Sequence, residues 1–412
     1  MTGYRHITRR LGIAAAALAL LGSAACEDGT GAGDRREVTL GGIFSLTGNW
    51  QSLGVTARAA MELAVEDVNA YASGRGITFV ADVRDTKLDP AMALAAVQDL
   101  RRDGVRLIMG PQSSAELAAI REYVYDNDLI VVSPSSTAGS LAISGDRIFR
   151  FTPTDSLEGV AIAALMWDDG IRALVPAWRA DAGNQGLHTG TRNAFTARGG
   201  TASAGTEYAA NTTNFAATVQ AIGAQVRAAL ATRPASQVGV LLAGFDEVAD
   251  LFAAAAADPV LATVRWYGTD GIANSPVLLN PPARTFAEAV GFPAPIFGLD
   301  ASTPEKWEFL KVRIHARAGM APDAFALAVY DAVWVAAQAY LASPARVDAD
   351  SLAARFEEAA GAFYGATGWT ALNAYGDRRN ANFDFFAVRP SGATHAWTRV
   401  AGYNTQAGTL DR

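Results

Sequence analysis

Apolar strand-like runs and amphipathic helix-like runs alternate along most of the chain. Residues 38–44 predict a strand, and residues 55–71 carry apolar side chains at helical spacing. Further strands and helices are predicted, in chain order, at 77–83, 90–103, 105–109, 115–126, 129–132, 157–167, 171–177, 185–198, near Thr206, and at 215–230, 238–242, 247–257 and 264–267. This order predicts parallel sheets covered by helices on both faces.

The pattern changes near residue 303, where helices begin to dominate. They are predicted at 305–318, 323–341 and 351–360, before short strands at 383–388 and 396–401. A chain of 412 residues is long enough for two domains of common size. We therefore expect an α/β protein of two doubly wound parallel-sheet lobes, with a late helical return to the first lobe.

Two hydroxyl-rich loops follow neighbouring predicted strands. Gly110-Pro-Gln-Ser-Ser114 comes after the first strand, and Ser133-Pro-Ser-Ser-Thr137 comes after the second. Ligands of open α/β sheets collect at such carboxyl ends. Ser113-x-x-Glu116 is also a capping-box pattern, which predicts a helix beginning at Ser113 or Ser114. The amino end of that helix could hold an anion, although these serines could equally be ordinary caps.

The first residues resemble an export signal. Arg5, Arg9 and Arg10 precede an apolar run over residues 11–25, which is short for a membrane span and typical of a secretory signal. Cys26, the single cysteine, follows directly and resembles the acylated cysteine of a bacterial lipobox, except that Ser23 replaces the usual leucine. We expect residues 1–25 to be a signal peptide and residues 26–36 a tether after a lipidated Cys26. Ordinary secretion with cleavage near the same bond is the alternative.

Charge and composition narrow the possible functions. The formal charge is −7, and without the three signal arginines 31 basic and 41 acidic residues remain. No basic cluster with interleaved aromatic residues appears, so a nucleic-acid partner is not expected. The four histidines are far apart, and we found no P-loop, nucleophile elbow or His-Glu-x-x-His pattern. We therefore expect no metal, no cofactor and no enzymatic activity.

Several motifs in collinear order resemble one family. They are Gly42-Ile-Phe-Ser-Leu-Thr-Gly48, Asp85-x-x-x-Asp89-Pro90, Gly110-Pro111-x-Ser-Ser, Ser133-Pro134-x-x-Thr137, Phe149-Arg150-x-x-Pro153-x-Asp155 and Asp270-Gly-Ile-Ala-Asn274. The stretch from Val38 to Val388 is similar to the branched-chain amino-acid (Leu/Ile/Val) binding proteins, the type I periplasmic solute receptors of ABC importers. The resemblance implies two lobes joined by a multi-strand hinge.

The resemblance also implies roles for individual residues. Ser114 and Thr137, with main-chain groups near Ser135, would hold the α-carboxylate of a ligand. Asp270 would hold the α-ammonium, although Asp-Gly is also a common turn dipeptide. We expect Asp270 to face the two hydroxyl residues across a cleft, because all three follow strands at their carboxyl ends.

Some positions depart from the family pattern. Leu53 and Gly183 stand where aromatic residues are usual, Phe245 replaces a tyrosine, and Ser135 replaces a common alanine. These differences suggest a pocket for something larger or more polar than leucine. Trp50 and Trp178, expected in neighbouring loops, could fill the space.

The resemblance implies a domain plan and a partner. The amino-terminal lobe would comprise residues 37–152 and 294–376, and the carboxyl-terminal lobe residues 153–293 and 377–405. The protein would be periplasmic or at the cell surface and pass an amino acid or amide-like molecule to an ABC permease, contacting the membrane only through its lipid. Two alternatives stay open, a sensor of the same fold signalling through a membrane partner and an exported enzyme.

Overall fold

The computed structural model describes residues 36–412. The predicted signal peptide and the lipidation site at Cys26 lie outside the described residues, as does the predicted tether up to residue 35. Arg36, the last residue of that tether, begins the first strand instead.

A five-stranded sheet forms the first layer, in the order β2-β1-β3-β4-β5. Its strands are β1 (Arg36–Phe44), β2 (Ile77–Asp85), β3 (Leu107–Met109), β4 (Ile130–Ser133) and β5 (Ile148–Arg150). The strands β1, β3, β4 and β5 pair in parallel, with Leu40 opposite Leu107 and Leu107 opposite Ile130. Strands β3, β4 and β5 are buried throughout, as apolar runs in a sheet covered on both faces should be.

A second parallel sheet has the order β10-β9-β6-β7, and β8 also pairs with β6. Its strands are β6 (Ala173–Arg179), β7 (Thr201–Ala202), β8 (Thr206–Tyr208), β9 (Val238–Ala243) and β10 (Arg265–Tyr267). The neighbouring strands of this sheet pair in parallel. The predicted pair of parallel sheets is therefore confirmed.

Eleven α-helices are described between residues 36 and 412. They are α1 (Gln51–Tyr71), α2 (Pro90–Arg102), α3 (Ser114–Asp126), α4 (Asp155–Asp168), α5 (Ala182–Ala197), α6 (Ala216–Leu230), α7 (Val248–Ala255), α8 (Ala283–Val290), α9 (Pro304–Ala318), α10 (Ala324–Leu341) and α11 (Ala349–Ala362). The late helices α9 and α10 pack on α1 beside the first sheet. Helix α10 is long and apolar enough to cross a membrane, but most of it is buried as a core helix.

A third sheet, which is antiparallel, was only partly predicted. Its order is β11 (Ala294–Phe297), β14 (Phe383–Ser391), β15 (Thr394–Asn404) and β16 (Thr409–Asp411), while β12 (Tyr364–Gly365) and β13 (Gly368–Trp369) form a separate hairpin. The prediction named β14 and β15 but not β11, because a four-residue run containing Pro295 carries little strand signal by itself. Pairing with β14 stabilises it, with Ala294 opposite Phe386.

The chain passes between the two parallel sheets where several segments are bonded together. Arg150, at the end of β5, forms a parallel bridge with Asp377, and its amide donates to the Gly376 carbonyl at 2.8 Å. The Arg150 side chain also pairs with Asp377 at 2.5 Å, and both side chains are buried. Because β11 pairs with β14, the segments near residues 150, 294 and 377–386 form one connected strip.

Two close approaches require glycine. Gly110 follows β3 with a φ of 95°, and a Cβ there would lie 2.1 Å from the Ile43 carbonyl oxygen. On the second layer, a Cβ on Gly159 of α4 would lie 2.4 Å from the Gly190 carbonyl carbon of α5. The first glycine shapes the loop before Ser114, and the second lets α4 and α5 pack closely.

Candidate functional site

The loop after β3 is held by a complete capping box. Ser113 is the N-cap of α3, its hydroxyl accepting from the Glu116 amide at 3.3 Å and donating to the Glu116 carboxylate at 2.7 Å. Glu116 in turn accepts from the Ser113 amide at 3.0 Å. The predicted helix start is confirmed, and it places Ser114 at the first helical position, beside the positive end of the helix dipole.

The second hydroxyl loop is bonded directly to the first. The hydroxyls of Ser114 and Ser136 lie 2.9 Å apart, and the Ser114 oxygen also accepts from the Ala138 amide at 3.2 Å. The Ser135 hydroxyl donates to the Gln112 carbonyl at 2.8 Å, so its proton is already used. Thr137 is buried beside them. The structure therefore brings Ser114, Ser135 and Thr137 together and adds Ser136, which the sequence reasoning did not single out.

Asp270 lies in a 3₁₀ turn that follows β10. Its side chain is buried, and its amide donates to Glu158 Oε1 at 3.0 Å. This contact places the two carboxyl groups side by side. Burial raises the pKa of both groups, since a charged carboxylate loses its hydration there.

Asp155 adds a third carboxyl group at the start of α4. Burial raises its pKa to about 8, with Asp270 adding like-charge repulsion, whereas the Thr137 hydroxyl partly stabilises the ionised form. Neither oxygen of Asp155 has a partner of good hydrogen-bond geometry. The Asp155 amide donates to the Thr137 carbonyl at 2.9 Å, so helix α4 contacts Thr137 through Asp155 and Asp270 through Glu158.

A second set of contacts joins loops that belong to different sheets. Trp50, just before α1, stacks on Phe245 in the loop after β9, with ring centroids 4.4 Å apart. Beside them the Asn49 amide donates to the Glu247 carboxylate at 2.5 Å. Leu53 is buried in the first turn of α1. Of the two tryptophans considered, Trp50 is therefore the one that lies against Phe245.

Trp178 was expected in a loop, and that expectation is wrong. Strand β6 continues to Arg179, because Trp178 pairs with Ala243 of β9 and with Glu207 of β8. Its ring stacks on His188 of α5 at 3.8 Å. Trp178 thus packs beneath α5 instead of standing in a loop next to Trp50.

Gly183 lies in the first turn of α5, close to the hydroxyl loops. A Cβ at this position would be 3.4 Å from the Ser114 oxygen and 3.6 Å from Asp181 Oδ1. The missing aromatic ring therefore allows the backbone of α5 to approach Ser114. The backbone of α5 therefore occupies the space that the sequence suggested would be left empty by the missing ring.

The described residues contain no group of three or more His, Cys, Asp or Glu arranged to hold a metal ion. The arrangement is instead suited to a small polar ligand, since neutral hydroxyls lie beside a helix amino end and buried carboxyl groups lie nearby.

A family model described as "Periplasmic binding protein" matches residues 37–393. The chain belongs to the periplasmic binding protein family. Its fold is the type I periplasmic binding protein fold, two lobes of parallel-sheet α/β structure with flanking helices.

Relatives of this periplasmic binding protein include proteins named for amino-acid binding. An uncharacterized protein of Methanocaldococcus jannaschii is 28% identical over 91% of both chains. A leucine-, isoleucine-, valine-, threonine- and alanine-binding protein of Pseudomonas aeruginosa is 28% identical over 37% of this chain and 40% of its own. A chemotactic signal transduction system substrate-binding protein of Halobacterium salinarum is 33% identical over 32% of this chain and 34% of its own.

Solved structures share the fold at low sequence identity. The branched-chain amino-acid transporter substrate-binding protein LivJ of Streptococcus pneumoniae, in complex with isoleucine, has a TM-score of 0.70 at 17% identity and covers 88% of this chain and 100% of its own. A solute-binding protein of Rhodopseudomonas palustris, in complex with p-hydroxybenzoic acid, has a TM-score of 0.72 at 16% identity, covering 90% and 97%.

Sequence reasoning missed Glu158 in this periplasmic binding protein. An acidic residue in the first turn of a helix is ordinarily explained by the helix dipole, and α4 carries both Asp155 and Glu158 there. Only the packing of α4 against the turn after β10, 112 residues later, brings Glu158 to Asp270. The periodic pattern of the sequence holds no signal for that contact.

Proposed function

We propose that this protein is an exported receptor that captures an α-amino acid, or a related small polar molecule, between its two lobes and delivers it to an ABC permease. One observation carries the proposal: helix α4 joins the hydroxyl loops of the first sheet to the buried carboxyl groups beside the second, since the Asp155 amide donates to the Thr137 carbonyl and Glu158 accepts from the Asp270 amide. A zwitterion has an anionic and a cationic end, which suits these two chemistries.

We assign the carboxylate of the ligand to Ser114 and Thr137, with main-chain groups near Ser135. The amino end of α3 supports this assignment, because its dipole favours a negative charge. Asp270 takes the α-ammonium. Phe245, Leu53 and Gly183 then border the side chain of the ligand, with Trp50 lying over Phe245.

We place the lobe boundaries within the strip that connects the two sheets. The amino-terminal lobe comprises residues 37–152 and 294–376, and the carboxyl-terminal lobe residues 153–293 and 377–405. The bridge between Arg150 and Asp377 and the pairing of β11 with β14 fall beside these boundaries, which supports a multi-strand hinge. Hinge closure is driven only by a ligand that binds the closed form more tightly.

Export and anchoring rest on the sequence. We propose cleavage before Cys26 and acylation of its thiol, which keeps the receptor near the membrane. Stable anchoring generally needs more than one acyl chain. Cys26→Ala should move the protein from the membrane fraction into the soluble fraction, and a wild-type protein that is already soluble would favour ordinary secretion.

A thermal-shift screen of the mature protein tests the proposed ligand class. L-leucine, L-isoleucine and other amino acids are compared with p-hydroxybenzoate, which has a carboxylate but no ammonium. A ligand at a hundred times its dissociation constant should add about 2.7 kcal/mol of stability. Failure of every amino acid to stabilise the protein would contradict the proposed class.

Replacing Ser114 tests the carboxylate end of the site. Ser114→Ala removes a hydrogen bond to a charged group, which should weaken binding of a stabilising amino acid by about 1.5–3 kcal/mol. Ser302→Ala, at an exposed serine, is the matched control. Equal affinities of the two variants would remove Ser114 from the site.

A sensor that signals through a membrane partner is the second candidate. The observation that favours it is the similarity to the chemotactic substrate-binding protein of Halobacterium salinarum. A permease gene beside this one would favour transport, whereas a gene for a signalling protein would favour sensing.

A further inference from the structure

Glu158 and Asp270 form a buried carboxyl pair without a cation of its own. Glu158 is 2% exposed and Asp270 is 5% exposed, and Glu158 Oε1 accepts from the Asp270 amide at 3.0 Å, which places the two carboxyl groups side by side. Two buried carboxyl groups this close, without a cation, are stable only when one of them holds a proton, which also lets one donate a hydrogen bond to the other. The pair in the free protein therefore carries one negative charge at most.

The charged groups around the pair give it little compensation. Asp155, on the same helix as Glu158, repels it, and Asp323, the N-cap of α10, repels Asp270. Asp181 raises the pKa of Asp155 and Arg150 lowers it. Arg150, however, is already paired with Asp377. Among residues 36–412 no Lys, Arg or His forms a salt bridge with Asp155, Glu158 or Asp270.

We propose that Glu158 is a positioning residue that holds a proton against Asp270 until a cationic group of the ligand displaces it. This inference rests on the proposed function, because it assumes that Asp270 receives the ammonium. On binding, the ammonium takes the place of the Glu158 hydroxyl as the donor to Asp270. The Glu158 proton passes to bulk water, and two carboxylates then face one ammonium.

The exchange keeps Asp270 in place in both states. Glu158 Oε1 accepts from the Asp270 amide at 3.0 Å, so the turn is anchored whether or not the proton is present. Burial favours the protonated form of Glu158 in the free protein by raising its pKa. The site consequently selects ligands with a cationic group, since a ligand without one leaves the proton where it is.

Isothermal titration with L-leucine in buffers of different ionisation enthalpy measures the proton release directly. The wild type should release up to about one proton per ligand, and its affinity should rise by up to about tenfold per pH unit over the range in which the pair is protonated. Glu158→Gln keeps an acceptor for the Asp270 amide and a donor for its carboxylate, but it has no proton to release. The variant should release fewer protons and bind L-leucine with a shallower pH profile than the wild type, the remaining slope coming from Asp155, whose pKa is raised to about 8.

Asp146→Asn is the matched control. Burial raises the pKa of Asp146 to about 6. This residue accepts from the amide of Ile148, the first residue of β5, and is not one of the carboxyl groups of the site. It should leave the proton release of the wild type intact. A wild type that releases no proton, or a Glu158→Gln variant with the wild-type pH profile, would overturn the proposal.

Infrared spectroscopy of the ligand-free protein separates this inference from the ligand assignment. The wild type at neutral pH should show protonated carboxylic acid absorption from which Glu158→Gln loses the share of one carboxyl group and Asp146→Asn loses none, while Asp155, with its pKa raised to about 8, contributes in all three proteins. If L-leucine fails to bind, the amino-acid assignment is wrong, while loss of that share in Glu158→Gln still supports the location of the proton. Absorption that Glu158→Gln leaves unchanged overturns it.

Discussion

The two halves of the candidate site use opposite electrostatics. In the first half, the hydroxyls of Ser114, Ser135 and Ser136 have hydrogen-bond partners within neighbouring loops. In the second half, the carboxyl oxygens of Asp155 have no hydrogen-bond partner, and the Glu158 carboxyl lies against Asp270, whose amide donates to it. The serine hydroxyls of the first half are uncharged and already bonded before any ligand arrives, whereas the carboxyl groups of the second half have no salt-bridge cation among residues 36–412.

This difference shows where the selectivity of the site should arise. A neutral hydroxyl cluster accepts many carboxylates, because its hydrogen bonds can be exchanged for those of a ligand at small net cost. Buried carboxyl groups discriminate more strongly between ligands, since each group must be protonated or paired with a cation. We therefore expect the second half to decide which ligands bind.

The largest effect is expected from removing the buried ion pair between Arg150 and Asp377. Arg150 pairs with Asp377 and also donates to the Ala138 carbonyl at 2.6 Å, beside the second hydroxyl loop. Asp377→Ala leaves the buried guanidinium uncompensated and should lower the free energy of unfolding by about 3–5 kcal/mol. Chemical denaturation measures the loss.

Glu62→Ala is the control for that experiment. It removes a partly exposed i,i+4 pair with Arg58 and a longer contact with Arg317 at 4.0 Å, and should cost about 0.5 kcal/mol or less. If Asp377→Ala costs no more than the control, the buried pair does not tie the lobes together.

Asp270→Asn sharpens the comparison on the charged side. Removing the countercharge of a buried ammonium should weaken L-leucine binding by on the order of 2–5 kcal/mol. Binding of p-hydroxybenzoate should change far less, because that molecule has no ammonium. Calorimetric titration of both molecules checks this, with Asp146→Asn as control. Unchanged L-leucine affinity would mean that Asp270 only shapes its turn.

The sequence predicted these two halves to very different depths. The hydroxyl half follows from local signals: a capping box, two strand ends and a helix start, all within about thirty residues. The Glu158–Asp270 contact spans 112 residues and depends on how α4 packs near the second sheet. Strand β11 and helix α8 were missed for a related reason, since each is short and is stabilised mainly by elements distant in sequence. The alternation of strands and helices, by contrast, follows from the spacing of apolar residues along the sequence and was predicted correctly.

The unpartnered carboxyl of Asp155 makes a prediction about pH. Its pKa is raised by burial from 3.8 to about 8, so the folded state binds its proton more tightly than the unfolded state. The stability that it contributes is fully present below pH 3.8 and is lost as the pH rises through about 8. Asp155→Asn should therefore flatten the fall in stability by about 1.4 kcal/mol per pH unit, which is on the order of 2 kcal/mol between about pH 5 and pH 6.5. Thermal unfolding at several pH values measures it, and parallel curves for the wild type and the variant would show that Asp155 is not the group responsible.

The smallest effect concerns the stacked contact between Trp50 and Phe245. Trp50 and Phe245 stack at 4.4 Å from loops of different sheets, and such a pair contributes about 0.5–1.5 kcal/mol beyond its buried area. Trp50→Ala should therefore shift the free protein toward open forms, which would enlarge its radius of gyration in small-angle scattering. It should also weaken L-leucine binding by a similar energy, because a smaller fraction of the free protein is in the form that binds the ligand. Trp369→Ala, at an exposed tryptophan that packs on Tyr364, should leave the scattering unchanged. Saturating ligand should reduce the radius of gyration of the Trp50 variant more than that of the wild type, since the variant begins more open. Identical curves for both proteins, with and without ligand, would show that the stacked pair does not control closure.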